Sequence, residues 1–199
     1  MSIVIDNLIL SSISEIHNNP EILKNTALHI NAAEDVVCRC FIPTVQINLN
    51  WYDSPIQDIN QNGILFHIIK MMDSFLKAGK QVLVNCFAGI SRSTTIVLAY
   101  LMYKNKWNVK EAIDFVRTKR YFINPNYGFT CQLHKLQQDL HTLDENYIQL
   151  CSNFHNKNNT ELAEEISSML TIPLIKELVE RDYVGFDMPE QTRNMFINL

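Results

Sequence analysis

Cys86 and Arg92 stand six positions apart in the run Gln81-Val82-Leu83-Val84-Asn85-Cys86-Phe87-Ala88-Gly89-Ile90-Ser91-Arg92-Ser93-Thr94. A thiolate is a strong nucleophile, and a guanidinium can grip two oxygens of one phosphate. A loop that opens a helix presents unpaired backbone N–H groups, and the helix dipole adds partial positive charge; together they make an anion site. The candidate phosphate cradle is therefore the backbone of Phe87, Ala88, Gly89, Ile90, Ser91 and Arg92, with Gly89 letting the chain curl without a side chain in the way. The groups that would hold a phosphate also favour the ionised sulfur of Cys86. A thiolate beneath a captured phosphoryl group is placed for in-line attack on phosphorus. The bland alternative is a core cysteine with an unrelated surface arginine. A strand before, a helix after, Gly89 in the loop and hydroxyls at Ser91 and Ser93 all weigh against it.

These residues need elements to position them. Gln81 to Val84 reads as a short buried strand and Ser93 to Tyr103 as the helix that follows the loop. Upstream, Ile3-Val4-Ile5 and Leu8-Ile9-Leu10 read as a hairpin turning at Asp6-Asn7. Ser12 and Glu15 form a capping box for a short helix, and a helical turn is expected over Glu21 to Asn25. Strand candidates follow at Leu28 to Asn31 and Val45 to Leu49. Ile64, Leu65, Ile68, Ile69, Met72, Phe75 and Leu76 share one face of a long helix that Gly79 ends. Asn108 and Glu111 cap a helix through Lys119, and another spans Asn126 to about Leu143. Strands alternating with helices predict an α/β fold: a central, mainly parallel sheet flanked by helices, with the site at a strand's C-terminal end.

Asn85-Cys86-Phe87-Ala88-Gly89-Ile90-Ser91-Arg92-Ser93 resembles the signature loop of the dual-specificity protein phosphatases, within the cysteine-dependent protein tyrosine phosphatase superfamily. The resemblance covers about residues 3 to 143. It implies a phosphatase-like catalytic domain over residues 1–143 and leaves residues 144–199 as an extension. It also implies a protein phosphatase acting on phosphotyrosine and phosphoserine or phosphothreonine through a phosphocysteine on Cys86. The leaving oxygen then needs an acid. Asp53 is the candidate: it lies 33 residues before Cys86, within Asp53-Ser54-Pro55 and Asp58-Ile59, where the family carries its acid. Asp58 is the rival, with a turn or a helix N-cap as its ordinary role. Ser93, by the resemblance, donates a hydrogen bond to the departing thiolate; helix capping is its ordinary role. Asn124 is a candidate brace for the loop, or an ordinary turn residue. Arg117, Lys119 and Arg120 either rim the site or form a solvated helix end.

Asn85 departs from the family, which has histidine there. Neutral asparagine brings a hydrogen bond but no charge. The acidic limb of the rate is therefore expected at higher pH than the family's norm, in a retuned enzyme. Two other readings stay open: an RNA 5′-triphosphatase on the same scaffold, and a phosphosite-binding pseudophosphatase motivated by Asn85.

Composition limits the alternatives. The chain has 199 residues, 47% of them hydrophobic, a formal net charge of −4 and five cysteines. The acidic balance disfavours nucleic acid as partner, and no apolar run is long enough for a membrane span. The N-terminus lacks a basic region and a cleavage site, and reduced thiols suit a cytoplasmic or nuclear protein. Cys38 and Cys40 lack a second pair of metal ligands, and Cys131 and Cys151 are placed on core faces of helices. No metal or other cofactor is expected, because thiolate, Arg92 and backbone amides supply the charge. Beyond a polar stretch at Asn153 to Asn159, two amphipathic helices are expected, Thr160 to Leu170 and from Pro173 to Gly185. Their apolar stripes would pack on the catalytic domain or meet a second copy or a partner.

Overall fold

The computed structural model describes residues 1–33 and 45–145. The pair Cys38 and Cys40, Cys151 and the two helices expected beyond residue 160 lie outside the described residues. Strands β1 (Ser2–Ile5) and β2 (Leu8–Ser12) form the expected hairpin, with Asn7 turning it at φ 63°. Asparagine is among the few residues that adopt this left-handed conformation readily. Helix α1 (Ile13–Asn18) opens on the predicted capping box. The Ser12 Oγ accepts from the Glu15 amide at 3.2 Å, and the Ser12 amide donates to Glu15 Oε2 at 2.7 Å. Helix α2 (Ile22–Asn25) is one turn, followed by β3 (Thr26–Asn31) and β4 (Val45–Asn48). A 3-10 turn at Gln61–Gly63 leads into α3 (Ile64–Lys77), then come β5 (Gln81–Cys86), α4 (Arg92–Asn105), α5 (Val109–Lys119) and α6 (Tyr127–His141).

The sheet runs β1-β2-β5-β3-β4 and is parallel except for the β1–β2 pair. β5 is its middle strand, with Ser12 of β2 beside Cys86 and Asn31 of β3 beside Asn85. Val82, Leu83 and Val84 are buried because both faces of the sheet are covered. Alternate residues serve the two faces. Leu83 joins Ile9, Ile16 and Leu23 under α1 and α2, while Val82 and Val84 join the main core under α3 and α4. Each such aliphatic side chain contributes about 1.5–3 kcal/mol on burial.

α4 is enclosed on every side: Arg92 through Tyr103 are all buried, against β5 and helices α3, α5 and α6. A helix this enclosed holds its first turn still, and that turn carries the site. α3 ends as predicted. Gly79, at φ 68°, donates to the Leu76 carbonyl at 3.0 Å and Lys80 to the Phe75 carbonyl at 2.9 Å, the paired bonds of a Schellman stop. Its start differs from expectation. Asp58 does not cap it; the Asp58 carboxylate accepts from the Asn60 amide at 2.9 Å in the turn before, and Gly63 occupies the cap position. The local turn satisfied Asp58 before the helix could use it. Asp73 on α3 is a buried acid within the apolar face, held by the Tyr100 and Tyr103 hydroxyls and by ion pairs to Lys77 and Lys104.

Candidate active site

Cys86 ends β5 with 1% of its surface exposed. Two groups donate to its sulfur: the Gly89 amide at 3.2 Å and the Ser93 hydroxyl at 3.1 Å. Both come from the loop and first turn that the sequence marks as the anion site. Ser93 is thus joined to Cys86.

The rest of the loop is organised from behind. Four successive carbonyls each accept a bond from outside it. Phe87 accepts from the Ile13 amide at 3.2 Å, and Ile90 accepts from the Asn124 amide at 3.0 Å. Arg120 takes the middle two: Nη2 donates to the Ala88 carbonyl at 3.3 Å and Nε to the Gly89 carbonyl at 2.9 Å. In a trans peptide the N–H points opposite to its own C=O. Carbonyls drawn backward therefore turn the amides of Ala88, Gly89, Ile90 and Ser91 forward, toward the space above the sulfur. The Gly89 amide bonded to the sulfur belongs to the same peptide unit as the Ala88 carbonyl held by Arg120. Gly89 sits at φ 67°, and a Cβ there would lie 2.6 Å from Arg120 Nη2 and 2.7 Å from the Ser11 carbonyl oxygen. Only glycine suits both the turn and the close approach.

Arg120 corrects a sequence expectation. It is neither rim nor solvated helix end: it is 3% exposed and faces the back of the loop. It pairs with Glu15 through two bonds, Nη1 to Oε1 at 3.1 Å and Nη2 to Oε2 at 3.0 Å. A buried guanidinium needs such a carboxylate partner. Burial works against the ionised form of Glu15. The hydrogen bonds from Arg120, from the terminal ammonium and from the Ser12 amide outweigh it, with the Arg120 charge, and hold the carboxyl well below the usual range. Arg117 and Lys119 are exposed, as a solvated helix end would be.

Asp53 is brought to the same loop; Asp58 is not. Asp53 Oδ1 accepts from the Ser91 hydroxyl at 2.7 Å and from Asn126 Nδ2 at 2.9 Å, and Oδ2 lies 3.9 Å from Arg92 Nε. Arg92 Nη1 also donates to the Trp51 carbonyl at 3.0 Å, tying the loop after Cys86 to the segment that carries Asp53. That segment rests on α6. The Asn126 side chain also caps α6 through the Phe129 amide at 3.0 Å, and Gln132 Nε2 donates to the Gln57 carbonyl at 2.8 Å. At Gly128 an added Cβ would meet the Pro55 carbonyl oxygen at 1.9 Å, so helix and loop are in backbone contact. Asn126 and Gly128 were missed as site residues. The cap position after Pro125 marks the helix start, but nothing local points to the segment around Asp53. Asn124 braces the loop through its main chain, not its side chain.

Asn85 is fully buried behind Cys86. Its Nδ2 donates to Asn31 Oδ1 at 3.2 Å, and its Oδ1 lies 2.6 Å from His29 Nε2. With the Asn85 amide assigned in that orientation, His29 carries a proton on Nε2. Burial pushes the His29 imidazole down to about 4 and the Asn85 bond only partly opposes it, so the ring is neutral near pH 7. The polar row continues from Asn31 to Asn48 at 3.3 Å and from Gln46 to Asn48 at 3.0 Å. An imidazole thus stands one strand away from the position where the family's resemblance would place it.

With this geometry in hand, comparison with known proteins is informative. Residues 8–139 match the family model for the dual specificity phosphatase catalytic domain. The chain is 33% identical over 141 residues to dual specificity protein phosphatase 22-A of Danio rerio, covering 69% of this chain and 65% of that protein. It is 36% identical over 116 residues to dual specificity protein phosphatase 5 of Homo sapiens, covering 57% of this chain and 30% of that protein. The chain therefore spans less than two thirds of either relative's length. The crystal structure of human DUSP28 superposes with a TM-score of 0.65 at 24% identity, over 72% of this chain and 99% of that one, and supports the fold.

Proposed function

The chain belongs to the dual specificity phosphatase family, and on that premise we propose that it hydrolyses phosphotyrosine and phosphoserine or phosphothreonine esters of protein substrates. The observation that carries the proposal is the pairing of Asp53, through Ser91, with the loop whose Gly89 amide and Ser93 hydroxyl both reach the Cys86 sulfur. In the first step the thiolate attacks phosphorus, the S–P bond forms and the ester P–O bond breaks. Asp53 gives its proton to the leaving oxygen. Arg92 and the forward amides of the loop balance the oxygens of the transferring group. In the second step water attacks phosphorus, Asp53 takes its proton, and the S–P bond breaks. The Ser93 hydroxyl then stabilises the released thiolate.

Phe87 beside the pocket is 58% exposed, and Ala88 and Ile90 add no charge. Arg120 lies behind the loop, paired with Glu15, and so adds no cation to the pocket. Both features support a monophosphorylated side chain over a triphosphate end as substrate. Hydrolysis of p-nitrophenyl phosphate, abolished in Cys86→Ser and reduced in Asp53→Asn, is the expected result. Phosphopeptide binding without turnover in the wild-type protein would instead establish a pseudophosphatase, and faster turnover of triphosphorylated RNA than of phosphopeptides would establish the nucleic-acid reading.

A further inference from the structure

We propose that Arg120, locked by Glu15, is the positioning residue that keeps the phosphate loop armed. The inference rests on the phosphatase reading and adds a part to it. Arg120 follows α5, Glu15 lies on α1, and the catalytic loop follows β5, so three distant stretches of chain meet at one guanidinium.

The geometry divides its donors between two tasks. Nε and Nη2 hold the Gly89 and Ala88 carbonyls, while Nη1 and Nη2 hold the two Glu15 oxygens. The first task fixes two adjacent peptide planes with their N–H groups forward. A peptide flip at either plane would aim a carbonyl oxygen at the phosphoryl group, and repulsion would replace attraction. The second task fixes the guanidinium. Without Glu15, the side chain would leave a buried, unpaired charge close to a bound anion. Its own pull toward that anion would then compete with its hold on the carbonyls. The Phe122 ring, 4.4 Å from the Arg120 guanidinium carbon, closes a further side. Ile13 and Asn124 hold only the outer two carbonyls, through main-chain amides that only substitution by proline would remove. Arg120 is therefore the side chain that governs the forward direction of the loop's middle amides.

The chemistry that follows differs from that of Arg92. Arg92 would touch the phosphoryl oxygens; Arg120 acts only through backbone. Arg120→Lys keeps the charge but lacks the planar fork, so it cannot serve two carbonyls and two carboxylate oxygens together. Glu15→Gln keeps the side-chain shape and removes the lock's charge.

Tungstate, an unreactive tetrahedral oxyanion, tests this apart from turnover. On the full chain, calorimetric tungstate affinity and kcat and KM on p-nitrophenyl phosphate are compared for wild type, Arg120→Met, Arg120→Lys and Glu15→Gln. Circular dichroism at a temperature well below each Tm confirms that the variant is folded. Tungstate affinity is expected to fall roughly tenfold or more in Arg120→Met, and less in Arg120→Lys and Glu15→Gln, with kcat falling in the same order. Arg120→Met is the variant most exposed to misfolding, so the other two suffice for the decision. Folded Arg120→Lys and Glu15→Gln proteins that both bind tungstate and turn over like an active wild type overturn this proposal alone. A wild-type protein that neither binds tungstate nor hydrolyses the ester overturns the phosphatase reading and this inference with it.

Discussion

Replacing Gly128 by alanine is expected to slow acid-assisted turnover while leaving the fold in place. Gly128 is the second residue of α6, and its ordinary helical backbone accepts a Cβ. Helix propensity alone predicts a gain of about 0.5–1 kcal/mol. The structure predicts something else, because the new Cβ would lie 1.9 Å from the Pro55 carbonyl oxygen and 2.5 Å from Pro55 C and Cα. Real Cβ contacts essentially never fall under 3.0 Å, so one partner must retreat by about 1 Å. α6 cannot, since Phe129, Leu133 and Leu140 anchor it in the core. Pro55 is exposed, and its loop yields. Asp53 lies two residues away on that loop, and a displacement of about 1 Å at a catalytic group costs on the order of 100-fold in rate. The loss should depend on the leaving group. Phenyl phosphate, whose phenoxide leaves poorly, needs the proton and should lose about 100-fold in kcat/KM. An aryl phosphate with a strongly electron-withdrawn leaving group needs it little and should lose less than about fivefold. Steady-state kinetics on the two esters, with Tm measured alongside, decides it. Wild-type kcat/KM on phenyl phosphate in a normally folded Gly128→Ala protein would refute the argument that α6 places the acid.

Ser93→Ala should slow the second step by about 10-fold or more, since a hydrogen bond to a charged sulfur contributes about 1.5–3 kcal/mol. Rapid mixing should then show a burst of phenol release close to one per enzyme, and single-phase release at the wild-type rate would contradict it. His29 binds its proton in the folded state only near pH 4, against an ordinary value of 6.5. The unfolded chain takes up that proton first, so stability should decline as pH falls from 6.5 to 4, by up to about 3 kcal/mol, and this component should level off below. Urea midpoints of wild type and His29→Gln across that range measure it, and parallel curves would exclude His29 as the cause. Asp73→Ala should cost about 1–3 kcal/mol by stranding the buried Tyr100 hydroxyl, with turnover per folded molecule unchanged; Tyr103 keeps its bond to Asp144 at 2.7 Å. A urea midpoint unaltered by the substitution would show that the Tyr100 hydroxyl finds another partner.

Local chemistry made much of this molecule legible in sequence. The Asp6-Asn7 turn, the Ser12–Glu15 and Asn108–Glu111 capping boxes and the Gly79 stop all rest on residues within a few positions of one another. The strand, loop and helix around Cys86 share that property. The misreadings share the opposite one. Arg120 reads as a solvated cation because its carboxylate partner lies 105 residues upstream. Asp58 reads as a helix cap because the 3-10 turn after it leaves no local mark. His29 and Asn85, 56 residues apart, become neighbours only through the β3–β5 register. Nothing near Gly128 in the sequence marks its contact with Pro55.

The carbonyls of the catalytic turn are tied down by Ile13, Arg120 and Asn124, which belong to parts of the chain that meet only in the finished fold. Surface turns ordinarily fray first, exchanging their amide hydrogens through small local openings. This one has no private way to open. Its carbonyl anchors should hold until the whole domain melts, and mild denaturant should abolish phosphate capture only then. The pocket is thus inherited from the global assembly, and its rigidity should rise and fall with the stability of the domain.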